Sequence, residues 1–179
     1  MQRKEPRGNR DVQRQRLYDA EHRISEGRVW DSLVAAQSYL DGLLASPWWQ
    51  MHFPSVRCVV LFDQGGQYAR AHKGVHGGAI QLPRWARTEL TLFHELAHLA
   101  SPPATADHGP AFAGIYLMLV QHCMEERIAV QLERRFAAHR VHVHAYEEPR
   151  HHFFVVTRRA VAGQDRAARV RLVTTANCP

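Results

Sequence analysis

Within residues 93–112, FHELAHLASPPATADHGPAF, three histidines and a glutamate stand at spacings that could do chemistry. His94 and His98 are four apart, so on a helix their imidazoles leave the same face, one turn from each other, where a single tetrahedral metal ion can bridge them. Glu95 follows the first histidine, about 100° further round the helix, so its carboxylate reaches a water on the metal rather than the metal itself. That division of labour is hydrolytic. Zinc lowers the pKa of its water from about 15.7 towards about 7, and the carboxylate takes the proton during attack and returns it to the leaving group. Even with 13 histidines among 179 residues, the bare H-E-x-x-H pattern arises by chance only on the order of 0.05 times in such a chain, so composition alone does not account for it.

A third ligand would complete the site, and two arrangements offer one. Pro102 and Pro103 end the helical pattern, the loop ATAD turns the chain, and His108 is presented at the start of the next apolar segment. In HGPAF, Gly109 suits a tight turn, and Phe112 stands one helical turn beyond His108, placed to pack on the motif helix and hold the ligand loop. The other arrangement takes a carboxylate from a later helix, Glu125 or Glu126. The spacing favours His108, with Asp107 as a candidate partner for its imidazole. A donor for negative charge developing on a substrate carbonyl could come from Tyr116, His76 or Arg87, which the sequence does not rank.

These groups need a buried helix to hold them. Residues 86–100, ARTELTLFHELAHLA, carry Leu92, Phe93, Leu96, Ala97 and Ala100 as a wide apolar face. Two unpaired histidines and a glutamate on such a helix would be costly to bury without a partner. Further helices are expected over residues 11–24, with Asp11 as N-cap, and over residues 29–46, with Trp30, Leu33, Val34, Gln37, Leu40 and Leu44 as a stripe that Pro47 stops. Trp48 and Trp49 read as a core lid beyond that helix end. Residues 108–124 form another apolar helical pattern, and residues 125–139 an amphipathic one through Ile128, Leu132 and Phe136.

Between the helices, SVRCVVLF reads as a strand, and YARAHK and GGAIQLP as two shorter ones, suggesting a small, mostly antiparallel sheet. The last strand precedes the motif helix directly and is the candidate substrate edge, formed by Gly78, Ala79, Ile80 and Gln81. Gly77 and Gly78 would let another backbone approach, while Ile80 and Leu82 face the core.

Residues 1–10 are polar and read as a disordered lead, residues 11–140 as the folded domain, and residues 141–179 as a basic C-terminal extension, partly ordered at most. His142, His144, His151 and His152 in that extension admit a second metal site, though a solvated basic tail is the plainer reading. The net charge of +6 comes from the two terminal segments, since acids outnumber bases between Val29 and Glu133. Nucleic acid is therefore a candidate partner through the termini only. Cys58, Cys123 and Cys178 form no C-x-x-C pair and no disulfide framework. No segment has the length of a membrane span, and the charged opening lacks a signal-peptide core, so a cytoplasmic protein is expected.

H-E-x-x-H followed by a loop and H-G-x-x-F resembles the SprT-like zincin metallopeptidases. The opening RDVQRQRLYDAE, with HELAHL and HGPAF, is similar to a small HExxH-motif metallohydrolase family of actinobacteria and their phages. The resemblance covers roughly residues 10–139. It implies an α+β, zincin-like fold, with the small sheet packed against the motif helix and several further helices. It also implies one zinc ion held by His94, His98 and His108, Glu95 as catalytic base, and a protein or peptide substrate. The cysteine zinc ribbon that often follows the SprT-like core has no counterpart here, so their DNA-linked substrates are not carried over. Two rivals stand beside this expectation. One is a catalytically weak zincin-like module that recognises a protein or nucleic acid, and the other is a closed structural zinc site.

Overall fold

A computed structural model of the chain describes residues 11, 13–75, 77–103 and 105–145. Along the chain run α1 (Arg14–Glu21), α2 (Leu33–Leu44), α3 (Pro47–His52), β1 (Cys58–Phe62), β2 (Arg70–Gly74) and β3 (Gly77–Gln81). A 3-10 turn at Arg84–Ala86 then leads into α4 (Glu89–Ala100), α5 (Pro110–Cys123) and α6 (Glu126–Ala138). The architecture is mixed α+β. No helix among the described residues is long and apolar enough to cross a membrane.

The motif helix α4 forms where the apolar period places it. Thr88 caps its start, accepting the Thr91 N–H at 3.3 Å, and Ser101 closes its end with its hydroxyl donating to the Ala97 carbonyl at 2.7 Å. Leu92, Phe93, Leu96 and Ala97 are fully buried. The helix packs on β2 and β3 on one side and on α5 on another. Its first turn is pinned by Glu89, whose carboxylate accepts the Tyr39 hydroxyl at 2.8 Å and the Arg28 N–H at 3.1 Å.

The sheet differs from the expected, mostly antiparallel one. Its order is β1-β3-β2, with β1 parallel to β3 and β2 antiparallel to β3. Residues 63–69 carry the chain past a position that β3 then fills, so β1 and β2 do not pair with each other. Gly77 and Gly78 make that insertion feasible: a Cβ on Gly77, at φ +149°, would lie 1.8 Å from the Cys58 carbonyl oxygen, and one on Gly78 would lie 2.2 Å from that of His72. The backbones these glycines admit are therefore the chain's own neighbouring strands. On the far side of β1, the Gln37 amide donates to the Val59 carbonyl at 2.9 Å and accepts the Leu61 N–H at 2.7 Å, so a side chain from α2 covers that edge. Gln37 thus serves the sheet, while Val34, expected on the buried stripe, is exposed.

Pro47 separates α2 from α3 and is the first residue of α3, whose Ser46 cap accepts the Trp49 N–H. Trp49 is fully enclosed and donates to the Val56 carbonyl at 2.8 Å, and Trp48 stacks on His122 at 3.7 Å between ring centroids. Helix α6 buries Ile128, Leu132 and Phe136 as its period requires. Beyond it, Val141 is buried, the Gln13 amide makes bonds of 3.1 and 2.9 Å to the His142 backbone, and the His144 N–H donates to the Pro110 carbonyl.

Candidate metal centre

Helix α4 projects His94 and His98 from one face, and the turn before α5 brings His108 against them. One ring nitrogen from each lies within 4.8 Å of the others, the sole such group of three potential ligands among the described residues. Gly109 makes the turn, its N–H donating to the Ala106 carbonyl at 2.9 Å, and Pro110 starts α5. Phe112, one turn into α5, packs under all three rings, with centroids 4.4 Å from His98 and 5.1 Å from His94 and His108. This is the packing role expected of it. Glu125 and Glu126, the other candidate ligands, are exposed at the start of α6, and Glu125 pairs with Arg127 at 2.6 Å.

The imidazoles are held from behind by carboxylates. His94 Nδ1 lies 2.7 Å from Glu21 Oε1, and His108 Nδ1 lies 2.5 Å from Asp11 Oδ2. Such partners fix the tautomer, giving the Nδ1–H to the carboxylate and leaving Nε2 for a ligand. The two Nε2 atoms face each other across 3.3 Å. Zinc–nitrogen bonds of about 2.05 Å at the tetrahedral angle separate two ring nitrogens by about 3.3 Å, so the spacing fits one ion between them. A shared proton would serve those two nitrogens alone, whereas a cation would also draw on the His98 nitrogen, which lies within 4.8 Å of both.

Burial opposes charge on His94, but the Glu21 and Glu95 carboxylates outweigh it and raise its pKa above the ordinary imidazole value. Burial and the two neighbouring imidazoles push His98 down to about 2, keeping it neutral. His108 is lowered by burial, against the pull of Asp11. Glu95 is nearly enclosed, and burial raises its pKa despite the opposing effects of His94 and of the Ala71 N–H that it accepts. A carboxylate with raised proton affinity, beside converging imidazoles, is suited to take a proton.

The site is open on one side. A cavity of about 460 Å³ lies over Glu95, His98 and His108, walled by Tyr18 from α1 and by Ala69, Ala71 and Lys73 from β2 and the residues before it. Two of the three histidines, His98 and His108, thus border a cavity together with Glu95, which leaves room for a further molecule beside the cluster.

Sequence reasoning missed what α1 contributes. Asp11, expected as an N-cap, instead holds His108, the place assigned to Asp107; Gln13 occupies the cap position, its side chain bonded to the His142 backbone rather than to the helix start. Asp11, Arg14, Tyr18 and Glu21 recur at helical spacing, and that recurrence was the available signal for a functional face. The Tyr18 ring stacks on His94 at 5.6 Å, and its hydroxyl lies 3.4 Å from His108 Nε2. Of the donors considered before, Tyr116 is buried beside Glu21 with its ring against His94, Arg87 is committed to Asp63 at 2.9 Å, and His76 lies outside the described residues. His142 and His144 belong to no ligand group, and His151 and His152 also lie outside the described residues.

The expected substrate edge requires correction. Gly78, Ala79, Ile80 and Gln81 lie on β3, which is hydrogen-bonded on both sides and is the central strand. The strand bordering the cavity is β2, whose outer side has no partner strand among the described residues.

Compared with known proteins, the chain matches no family model, no curated protein and no solved structure.

Proposed function

We propose that this chain is a zinc-dependent hydrolase of the zincin type, acting as a metallopeptidase on an amide bond. The observation that carries the reading is the convergence of three imidazole nitrogens, two of them beside an open cavity with Glu95 at its wall, and carboxylates behind two of the rings. Zinc, when bound, supplies a Lewis acid that acidifies water and polarises a carbonyl oxygen. His94, His98 and His108 would hold it, and Glu21 and Asp11 would keep two of those rings in the ligating tautomer. Glu95 accepts the proton of the attacking water and delivers it to the departing nitrogen, a transfer favoured by its raised proton affinity. The free side of β2 offers backbone donors and acceptors to an extended peptide laid along it.

Glu95→Gln separates hydrolysis from mere recognition, because the amide preserves size while removing the base. Peptide cleavage by the zinc-loaded variant is expected to fall by about a hundredfold or more, with zinc content unchanged. Unchanged cleavage would contradict the assignment, and a binding module would show no cleavage in either protein.

A further inference from the structure

The cavity over His98 and His108 is the middle one of three that follow β2 and the residues before it. Towards the start of the strand it shares Arg14, Tyr18, Tyr68, Ala69 and Glu95 with a cavity of about 490 Å³ that extends to Trp85. Towards the end of the strand it meets, at Lys73, a cavity of about 500 Å³. This third space lies at the corner where β2 gives way to β3, between the end of α4 and α5. Its lining includes Val56, Leu99, Pro102, Ala111 and Ile115, with Lys73, His52, His144, Ser55 and Ser101 as polar members. The Lys73 ammonium is already engaged, donating to the Ser101 carbonyl at 2.9 Å.

The strand supplies a measure along this cleft. Ala71 is beside the reacting position, because it lines the cavity together with Glu95, His98 and His108. From Ala71 to Lys73 and Gly74, the strand residues that line the third cavity, is two or three residues, or about 7–10 Å at about 3.3 Å per residue. A peptide extended along β2 therefore reaches that cavity two or three residues from the bond over Glu95. Since cavities continue on both sides of the histidines, neither end of the substrate needs to stop at the site.

Resting on the hydrolase reading above, we infer that the cavity between Lys73, Leu99 and Ile115 is a specificity subsite taking a large apolar side chain of an extended peptide, and that the protein cuts bonds inside a chain rather than at its ends. The occupant is apolar because Phe53, Val56, Leu99, Ala111 and Ile115 form much of the wall and the bordering ammonium is satisfied within the protein. Its position is set by Lys73, which lines both this cavity and the one over the histidines, and by the unpaired side of β2.

The test has a cleavage arm and a binding arm. Zinc-loaded protein is given a randomised decapeptide library, and the cuts are mapped by mass spectrometry. In parallel, the Glu95→Gln protein is titrated with fluorescein-labelled decapeptides carrying Leu or Asp at successive positions. Expected are internal cuts with Leu, Ile, Phe or Met enriched at one position two or three residues from the bond, and about tenfold or greater preference for Leu over Asp in binding. Ala111→Trp, which fills the cavity, should reduce both preferences at least fivefold. Val75→Trp, at a rim position that is 90% exposed and so compatible with folding, should reduce them in the same direction. Cleavage with no positional preference, cuts at termini only, or a preference that both variants leave intact would overturn the subsite. If no peptide is cut, the hydrolase reading fails. The binding arm then still decides the cavity: a Leu preference that Ala111→Trp removes supports it, and equal binding of Leu and Asp peptides overturns it.

Discussion

The side chains behind the imidazoles carry as much of the account as the imidazoles themselves. Glu21 and Asp11 each fix a ring whose Nε2 would otherwise have no reason to face its neighbour at 3.3 Å. Glu21→Gln and Asp11→Asn, each tested singly by competition with a chromophoric chelator, should weaken zinc binding by about 10- to 100-fold while the circular dichroism spectrum is preserved. On the hydrolase proposal, Tyr18 would enter the reaction at a later point. Its hydroxyl, 3.4 Å from His108 Nε2 and on the cavity wall, is placed to donate to charge developing on a substrate carbonyl. Tyr18→Phe should keep the zinc content and lower kcat on the order of a hundredfold, with KM changed far less; a purely packing role would leave kcat intact.

At the scale of elements, the motif helix and the ligand turn were legible because their signals are local. H-E-x-x-H fixes its own geometry once the helix forms, and Pro102, Pro103 and Gly109 punctuate the chain between the second and third ligands. The sheet order was not legible, since β1 pairs with β3 across the whole of β2 and no local pattern states that partnership. Gly77 and Gly78 did announce a close backbone approach, but the approaching strands proved to be β1 and β2 rather than a substrate. Gly77 is the stricter of the two, combining φ +149° with contact on the Cys58 carbonyl. Gly77→Ala should cost on the order of 1–3 kcal/mol in a thermal or urea melt. Stability equal to the unchanged protein would mean that β1 and β3 are not so closely paired. The recurrence of Asp11, Arg14, Tyr18 and Glu21 marked a face, but which histidine it meets was hidden, because a carboxylate 73 residues before its partner leaves no spacing that states the pairing.

Across the whole molecule, the site is assembled from segments far apart in sequence: α1 from the N-terminal side, β2 and α4 from the middle, and the turn before α5. Gln13 and the His142 backbone tie the two ends of the described chain together beside the site, and α1 packs on α6. Such an assembly holds Asp11 and Glu21 behind His108 and His94 only when the entire body is folded. Zinc that binds this folded assembly and not the open chain should therefore stabilise the protein as a unit. The most direct test of the account is metal content, by elemental mass spectrometry, of protein purified without a histidine tag. About one zinc per chain in the wild type and in Glu125→Ala, with less than about a tenth of that in His94→Ala and His108→Ala, is the predicted result. Metal-free wild-type protein that also fails to take up added zinc, or a His108→Ala protein that retains its zinc, would contradict the three-histidine centre.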